Sequence, residues 1–174
     1  MEEPSIDPVD LRPDCARCEA LCCVAPAFDR SDEFAFDKPA CVACPNLDAG
    51  DRCRIHAGLE QAGFHGCVVY DCLGAGQRVV QELFPGRSWR REPELLPRMW
   101  EALTALRGVH ELILLLATAA KAPLSEEERS SLEALQAELE PAGGWPAAAL
   151  MSSAGAATAR GRAFLTSLRG RFTL

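Results

Sequence analysis

The chain has 174 residues, with 25 acidic and 18 basic side chains, 48% hydrophobic residues, nine cysteines and 11 aromatics. That describes one globular unit, or one domain with a small module, apolar enough to build a core; collagen-like, mucin-like and wholly disordered chains are excluded. The longest uninterrupted apolar run, Leu112 to Ala120 with Thr118 inside it, lies between Glu111 and Lys121. It falls short of the roughly 20 residues a bilayer span needs, so no membrane span is expected.

The first residues, Met1-Glu-Glu-Pro-Ser-Ile-Asp7, carry no basic stretch followed by an apolar run, so a reducing cytoplasm is the expected compartment. Pro13-Asp14 precedes Cys15-Ala-Arg-Cys18-Glu-Ala-Leu-Cys22-Cys23, and Pro26 follows. With Asp14 as cap, the reading is a short helix over about 15–23 that gathers Cys15, Cys18 and Cys22 on one stripe and sets Cys23 to its side. Thiols in the first turn of such a helix would have a lowered pKa. Residues 24 to 50 read as irregular loop, with Phe28, Phe34 and Phe36 anchoring a small core. Asp51 is the expected cap of a second helix over about 52–62, ended by Gly63, with Cys53, His56 and Glu60 on one face. A further helix is predicted over about 77–84.

Beyond this point helical periodicity is plain. Leu96, Met99, Leu103, Leu106, His110, Ile113 and Ala117 step by three and four from a start near Pro93, predicting one long core helix. Ser125-Glu-Glu-Glu128 is a capping-box match opening a helix with Leu132, Leu135 and Leu139 on one side, halted by Pro141 and Gly143-Gly144. From Pro146 an alanine-rich stretch is helical in pattern, weakened by Gly155 and Gly161.

The chain is therefore read as mainly α: an irregular cysteine-rich metal-binding part with short helices (1–84), packed on a C-terminal antiparallel helical bundle (85–174), the two forming one compact unit. Charge divides with the cysteines. Through Gly74 there are 14 acids and 6 bases, a net of −8, whereas the remainder is at +1. A nucleic-acid-binding finger needs a basic face, so nucleic acid is not an expected partner. Arg160, Arg162, Arg169 and Arg171 read as a solvated helix face and tail. A protein partner docking on the helices is expected.

All nine cysteines lie between positions 15 and 72. Disulfides, ordinary buried thiols and metal ligation compete to explain them. The compartment and the odd count argue against disulfides, and clustering with Cys-x-x-Cys at 15/18 and 41/44 argues against isolated thiols. Metal ligation remains, with zinc preferred and one or two ions. An iron–sulfur cluster in a redox protein or enzyme is the alternative, although no ferredoxin-type run is present. A thiol sensor in which Cys41 or the Cys22/Cys23 pair oxidises is a further alternative. Whether Cys41, His56 or His65 ligates stays open, and His110 reads as a helix residue without chemistry. Catalysis has no motif behind it: Gly74-Ala-Gly76-Gln has Val79 where a dinucleotide loop has its last glycine, and no Walker lysine or Gly-x-Ser-x-Gly elbow occurs. No catalytic residue is assigned.

Several segments carry a resemblance: Cys15-Ala-Arg-Cys-Glu-Ala-Leu-Cys-Cys23, Phe34-Ala-Phe-Asp-Lys-Pro39, Cys44-Pro-Asn-Leu47, Cys53-Arg-Ile-His56, and Gly63-Phe-His-Gly-Cys67 through Asp71-Cys-Leu-Gly-Ala-Gly-Gln77. Over about residues 11–84 they resemble, in order, the cysteine-rich N-terminal region of actinobacterial pentapeptide-repeat proteins. The opening run is also similar to the zinc- or iron-chelating CxxCxxCC family. The resemblance implies metal chelation by Cys15, Cys18, Cys22, Cys23, Cys44, Cys53, Cys67 and Cys72, leaving Cys41 out. Nothing after Gln77 reads as tandem pentapeptides, so no role of the repeats carries over.

Overall fold

In the computed structural model, residues 10–141 and 144–169 are described. Gly143, Arg171 and the first residues read for a leader lie outside them. The chain is mainly helical, and the described residues form no strand beyond two isolated bridges, Phe28 with Lys38 and Leu47 with Cys53.

Among the described residues six α-helices follow in chain order. Three are short: α1 (Leu21–Val24), α2 (His65–Val69) and α3 (Ala75–Arg78, running on into a π turn over Val79–Leu83); the 3-10 turn Pro93–Leu95 then leads into the first long helix. The long ones are α4 (Leu96–Ala119), α5 (Glu126–Leu139) and α6 (Ala147–Ser167). The capping box at Ser125 is formed in full: the Glu128 N–H donates to Ser125 Oγ at 3.2 Å and the Ser125 N–H to Glu128 Oε2 at 2.8 Å. Helix α6 survives its two glycines, with Gly161 buried against Leu112 of α4.

One core joins the cysteine-rich part to the helices. Leu21 and Val24 of α1 and Val79 and Val80 after α3 pack with Met99, Leu103 and Leu106 of α4, while α5 and α6 add Leu132, Leu139, Leu150, Ala154 and Ala157. Helix α4 packs most extensively on α6. Its predicted stripe holds through His110; beyond it the buried face moves to Leu112, Leu116 and Ala119, and Ala117 is exposed. By length and composition Pro93–Ala119, 27 residues at mean hydropathy 1.4, is also apolar enough to cross a membrane. A core helix passes the same test, and counting only unbroken apolar residues understated this segment. Arg160 pairs with Glu138 and Arg162 with Glu111 at 3.4 Å, so the basic face of α6 is tied to α5 and α4.

Two predicted short helices are corrected. Over 15–23 a 3-10 turn, Cys15–Arg17, is separated from α1 by Glu19 and Ala20 at φ 48° and 53°, a left-handed kink that no continuous helix accommodates. The kink is held by Trp89, whose indole N–H donates to the Glu19 carbonyl at 2.8 Å. Asp14 does cap the turn, accepting from Ala16 N–H at 3.1 Å. Over 52–62 only a 3-10 turn, His56–Gly58, forms, because Cys53 is bridged to Leu47 and Asp51, at φ 60°, holds Arg90 instead of capping.

His110 has more to do than its helical position suggests. It is fully buried, its Nδ1 lies 2.6 Å from the Leu73 carbonyl, and its Nε2 lies 3.1 Å from Arg78 Nη1. A carbonyl only accepts and a guanidinium only donates, so both contacts are hydrogen bonds in one form alone: a neutral ring with the proton on Nδ1. Burial lowers its pKa from 6.5 to about 4, opposed by the Leu73 bond and assisted by the Arg78 charge. The folded value lies below the unfolded one, so its stabilisation is complete above pH 6.5 and drains away as pH falls towards 4. Urea unfolding of wild type and His110→Gln across that interval should show a difference in pH dependence on the order of 3 kcal/mol; parallel profiles would contradict the assignment.

Candidate metal centre

The kink at Glu19–Ala20 turns the opening cysteine run back on itself and directs its thiols to two places. Cys15, Cys18, Cys22 and Cys72 line one small cavity of about 20 Å³ together with Asp14, Leu21, Gly76, Gln77 and Leu103. That is room for about one atom-sized guest. Cys15 comes from the 3-10 turn, Cys22 from α1, and Cys72 from the segment that leads through Leu73 and Gly74 into α3. Gly76 is what allows the approach. A Cβ there would stand 3.0 Å from Cys18 Cβ and 3.8 Å from the sulfurs of Cys18 and Cys72. Gly76→Val is therefore expected to push these thiols apart while α4–α6 stay folded; if the cavity is a ligand site, the variant binds one metal equivalent fewer than wild type, and equal binding would count against it.

The remaining thiols of the implied set form a second neighbourhood. The 38–44 loop is zipped to the 23–26 segment: Cys44 N–H donates to the Cys23 carbonyl and Cys41 N–H to the Ala25 carbonyl, each at 3.0 Å. Leu47 N–H returns to the Cys44 carbonyl at 2.9 Å, and Leu47 pairs with Cys53 in a β-bridge through the Asp48 N–H to Arg52 carbonyl and Arg54 N–H to Asn46 carbonyl bonds. Cys67 sits on α2, which is fixed by an aromatic cluster. Phe28 and Phe34 stack at 4.3 Å between centroids and Phe36 meets Phe64 edge-on at 5.0 Å. The Phe34 ring lies so close over Gly66 that a Cβ would be 2.2 Å from it, so only glycine lets α2 approach. The predicted phenylalanine anchors thus hold a cysteine in place.

The sulfurs of Cys22 and Cys23 are 4.0 Å apart, so the two neighbourhoods adjoin. With Cys22 donating, this contact holds the Cys23 thiol low, and the Lys38 charge acts the same way; Cys22 is pushed up by giving that bond and by burial. The lowered thiols expected of the opening turn are not found: burial raises Cys15, and raises Cys18 to about 12. Burial also raises Cys53, and Cys67 to about 11, with negative charge on Cys23 and Cys44 adding in both cases and that on Cys53 adding at Cys67. Cys15, Cys18, Cys22, Cys53 and Cys67 thus resist standing as bare thiolates, whereas Cys23 does not.

All nine cysteines are free thiols. Among the described residues no three His, Cys, Asp or Glu side chains are grouped so as to hold a metal ion as they stand. His56 lies in its 3-10 turn and His65 opens α2. Beside the small cavity runs an open, polar cleft of about 680 Å³, whose Arg12, Arg17 and Arg78 are each paired with a carboxylate, Asp10, Asp14 and Glu82. Sequence reasoning missed the parts of Gly76, Leu103 and His110; for Gly76 the signal present was its place four residues after Cys72.

No protein-family model matches the chain, and no solved structure matches it. Among curated proteins, the uncharacterized protein YybG of Bacillus subtilis (strain 168) is 37% identical over 131 residues, which are 73% of this chain and 47% of that protein. The chain thus spans about half the length of that relative, whose name attaches no activity to the likeness.

Proposed function

We propose that the protein is a non-catalytic, cytoplasmic metal-binding module with a helical surface for a protein partner. In this reading Cys15, Cys18, Cys22 and Cys72 hold one zinc ion, and Cys23, Cys44, Cys53 and Cys67 hold a second. The observation that carries it is that four thiols, from the 15–22 run and from Cys72 some fifty positions later, line a single cavity of about 20 Å³. Four sulfurs and no oxygen-rich cage is the donor chemistry that zinc favours over magnesium or calcium.

Bound zinc supplies strong bonds to thiolates and, with all positions taken by sulfur, a closed structural centre. The chain's own part is to bring the sulfurs together: the Glu19–Ala20 kink, Gly76, the phenylalanine cluster and the zipped 38–44 loop do so. Burial that raises free thiols makes coordination the favourable way to hold them as thiolates. Metal analysis of protein prepared without oxygen tests the reading. Two zinc ions per chain in a colourless sample support it; a brown sample containing iron and sulfide moves the assignment to a cluster, and absence of metal overturns it.

A further inference from the structure

Eight thiolates around two divalent ions leave a charge of −4 on a segment already at −8, so the reading above needs cations in the right place. Arg52 and Arg54 are surface side chains, and Arg54 spends its guanidinium on the Pro45 and Leu47 carbonyls. Lys38 is different. It is 3% exposed, and its Nζ donates to the carbonyls of Val24 at 2.9 Å, Pro26 at 2.5 Å and Pro39 at 3.1 Å, with the Phe28 ring 5.6 Å away.

All three ammonium protons are therefore spent on neutral carbonyls, and the described structure pairs it with no carboxylate. A buried cation without an anion is costly. Two of the carbonyls it grips, Val24 and Pro26, follow directly after Cys23, and the loop that follows Lys38 delivers Cys41 and Cys44 to the same segment. The charged and titratable groups facing Lys38 are the thiols of Cys44, Cys23 and Cys41, and thiolate charge there would hold its proton against burial.

We propose that the buried ammonium of Lys38 is the counter-charge of the metal centre that Cys23 and Cys44 form with Cys53 and Cys67, acting through Cys23 and Cys44, and makes this set the tighter of the two metal centres. The other set has the opposite neighbour. Asp14, whose carboxylate caps the turn carrying Cys15, lines its cavity and adds negative charge at Cys15, while the Arg17 paired with it at 3.9 Å is an exposed, solvent-screened cation. The two centres are thus electrostatically unequal, although both are all-sulfur. This inference rests on the two-centre reading.

Cobalt titration of the full chain tests it, since thiolate-to-cobalt absorption reports each centre as it fills. Wild type should load in two steps. Lys38→Met should weaken the tighter step roughly tenfold or more, and raise the pH at which it half-fills, with the other step unmoved. Lys38→Arg should restore it, whereas Lys38→Gln, which keeps a donor without the charge, should not. If Lys38→Met does not fold, the Arg and Gln variants decide in the same way. Equal loading by wild type and Lys38→Met, or equal loss in the Arg and Gln variants, would overturn the role of Lys38 and leave the two centres standing. A wild type that takes up no cobalt would overturn both.

Discussion

Removing metal from the full chain with a strong chelator is expected to unfold the cysteine-rich part and leave the α4–α6 helices folded. Residues 25–64 contain one short 3-10 turn, two isolated bridges and a four-phenylalanine cluster, and most of their side chains are exposed or half-buried. So little apolar burial does not offset the backbone entropy of ordering some forty residues, at about 1–2 kcal/mol each. Structural zinc in small modules contributes roughly 10–16 kcal/mol to folding, which is the size of term this segment lacks. Limited proteolysis should then cut between Pro26 and Gly63 while circular dichroism keeps the helical signal of α4–α6. Unchanged digestion after complete metal removal would show that the loops hold themselves.

The second large effect lies where the helices meet the thiols. Leu103 is 1% exposed, belongs to the central core and also lines the cavity of Cys15, Cys18, Cys22 and Cys72. Leu103→Ala removes apolar contacts and merges the vacated space with that cavity, where the surrounding chain cannot fully collapse. A loss of about 3–5 kcal/mol in unfolding free energy is expected. A comparable truncation remote from the thiols, Leu150→Ala on α6, should destabilise without altering metal content, whereas Leu103→Ala should also release metal more readily. Identical metal retention in both variants would separate the core from the site.

The reach of the sequence differed between the two parts for a physical reason. In α4, α5 and α6 burial follows helical period, so Leu96 through His110 and the Ser125 capping box could be read directly. The stripe failed past His110 because the C-terminal half of α4 packs on α6, a partner distant in sequence, and Leu112 there meets Gly161. In the cysteine-rich part period is uninformative. The kink at Glu19 and Ala20 depends on Trp89, 70 positions away, and the bridge that keeps Cys53 out of a helix depends on Leu47. That adjacent Cys22 and Cys23 point to different sides was legible from helical spacing; which other thiols lie beside each of them, Cys72 with Cys22 and Cys44 with Cys23, needed the tertiary fold.

X-ray absorption at the zinc edge of anaerobically purified protein tests the central claim most directly. Four sulfur neighbours per zinc at about 2.3 Å, with two zinc ions per chain, are predicted. A first shell dominated by nitrogen or oxygen, or a chain whose thiols all remain free of metal, would contradict it.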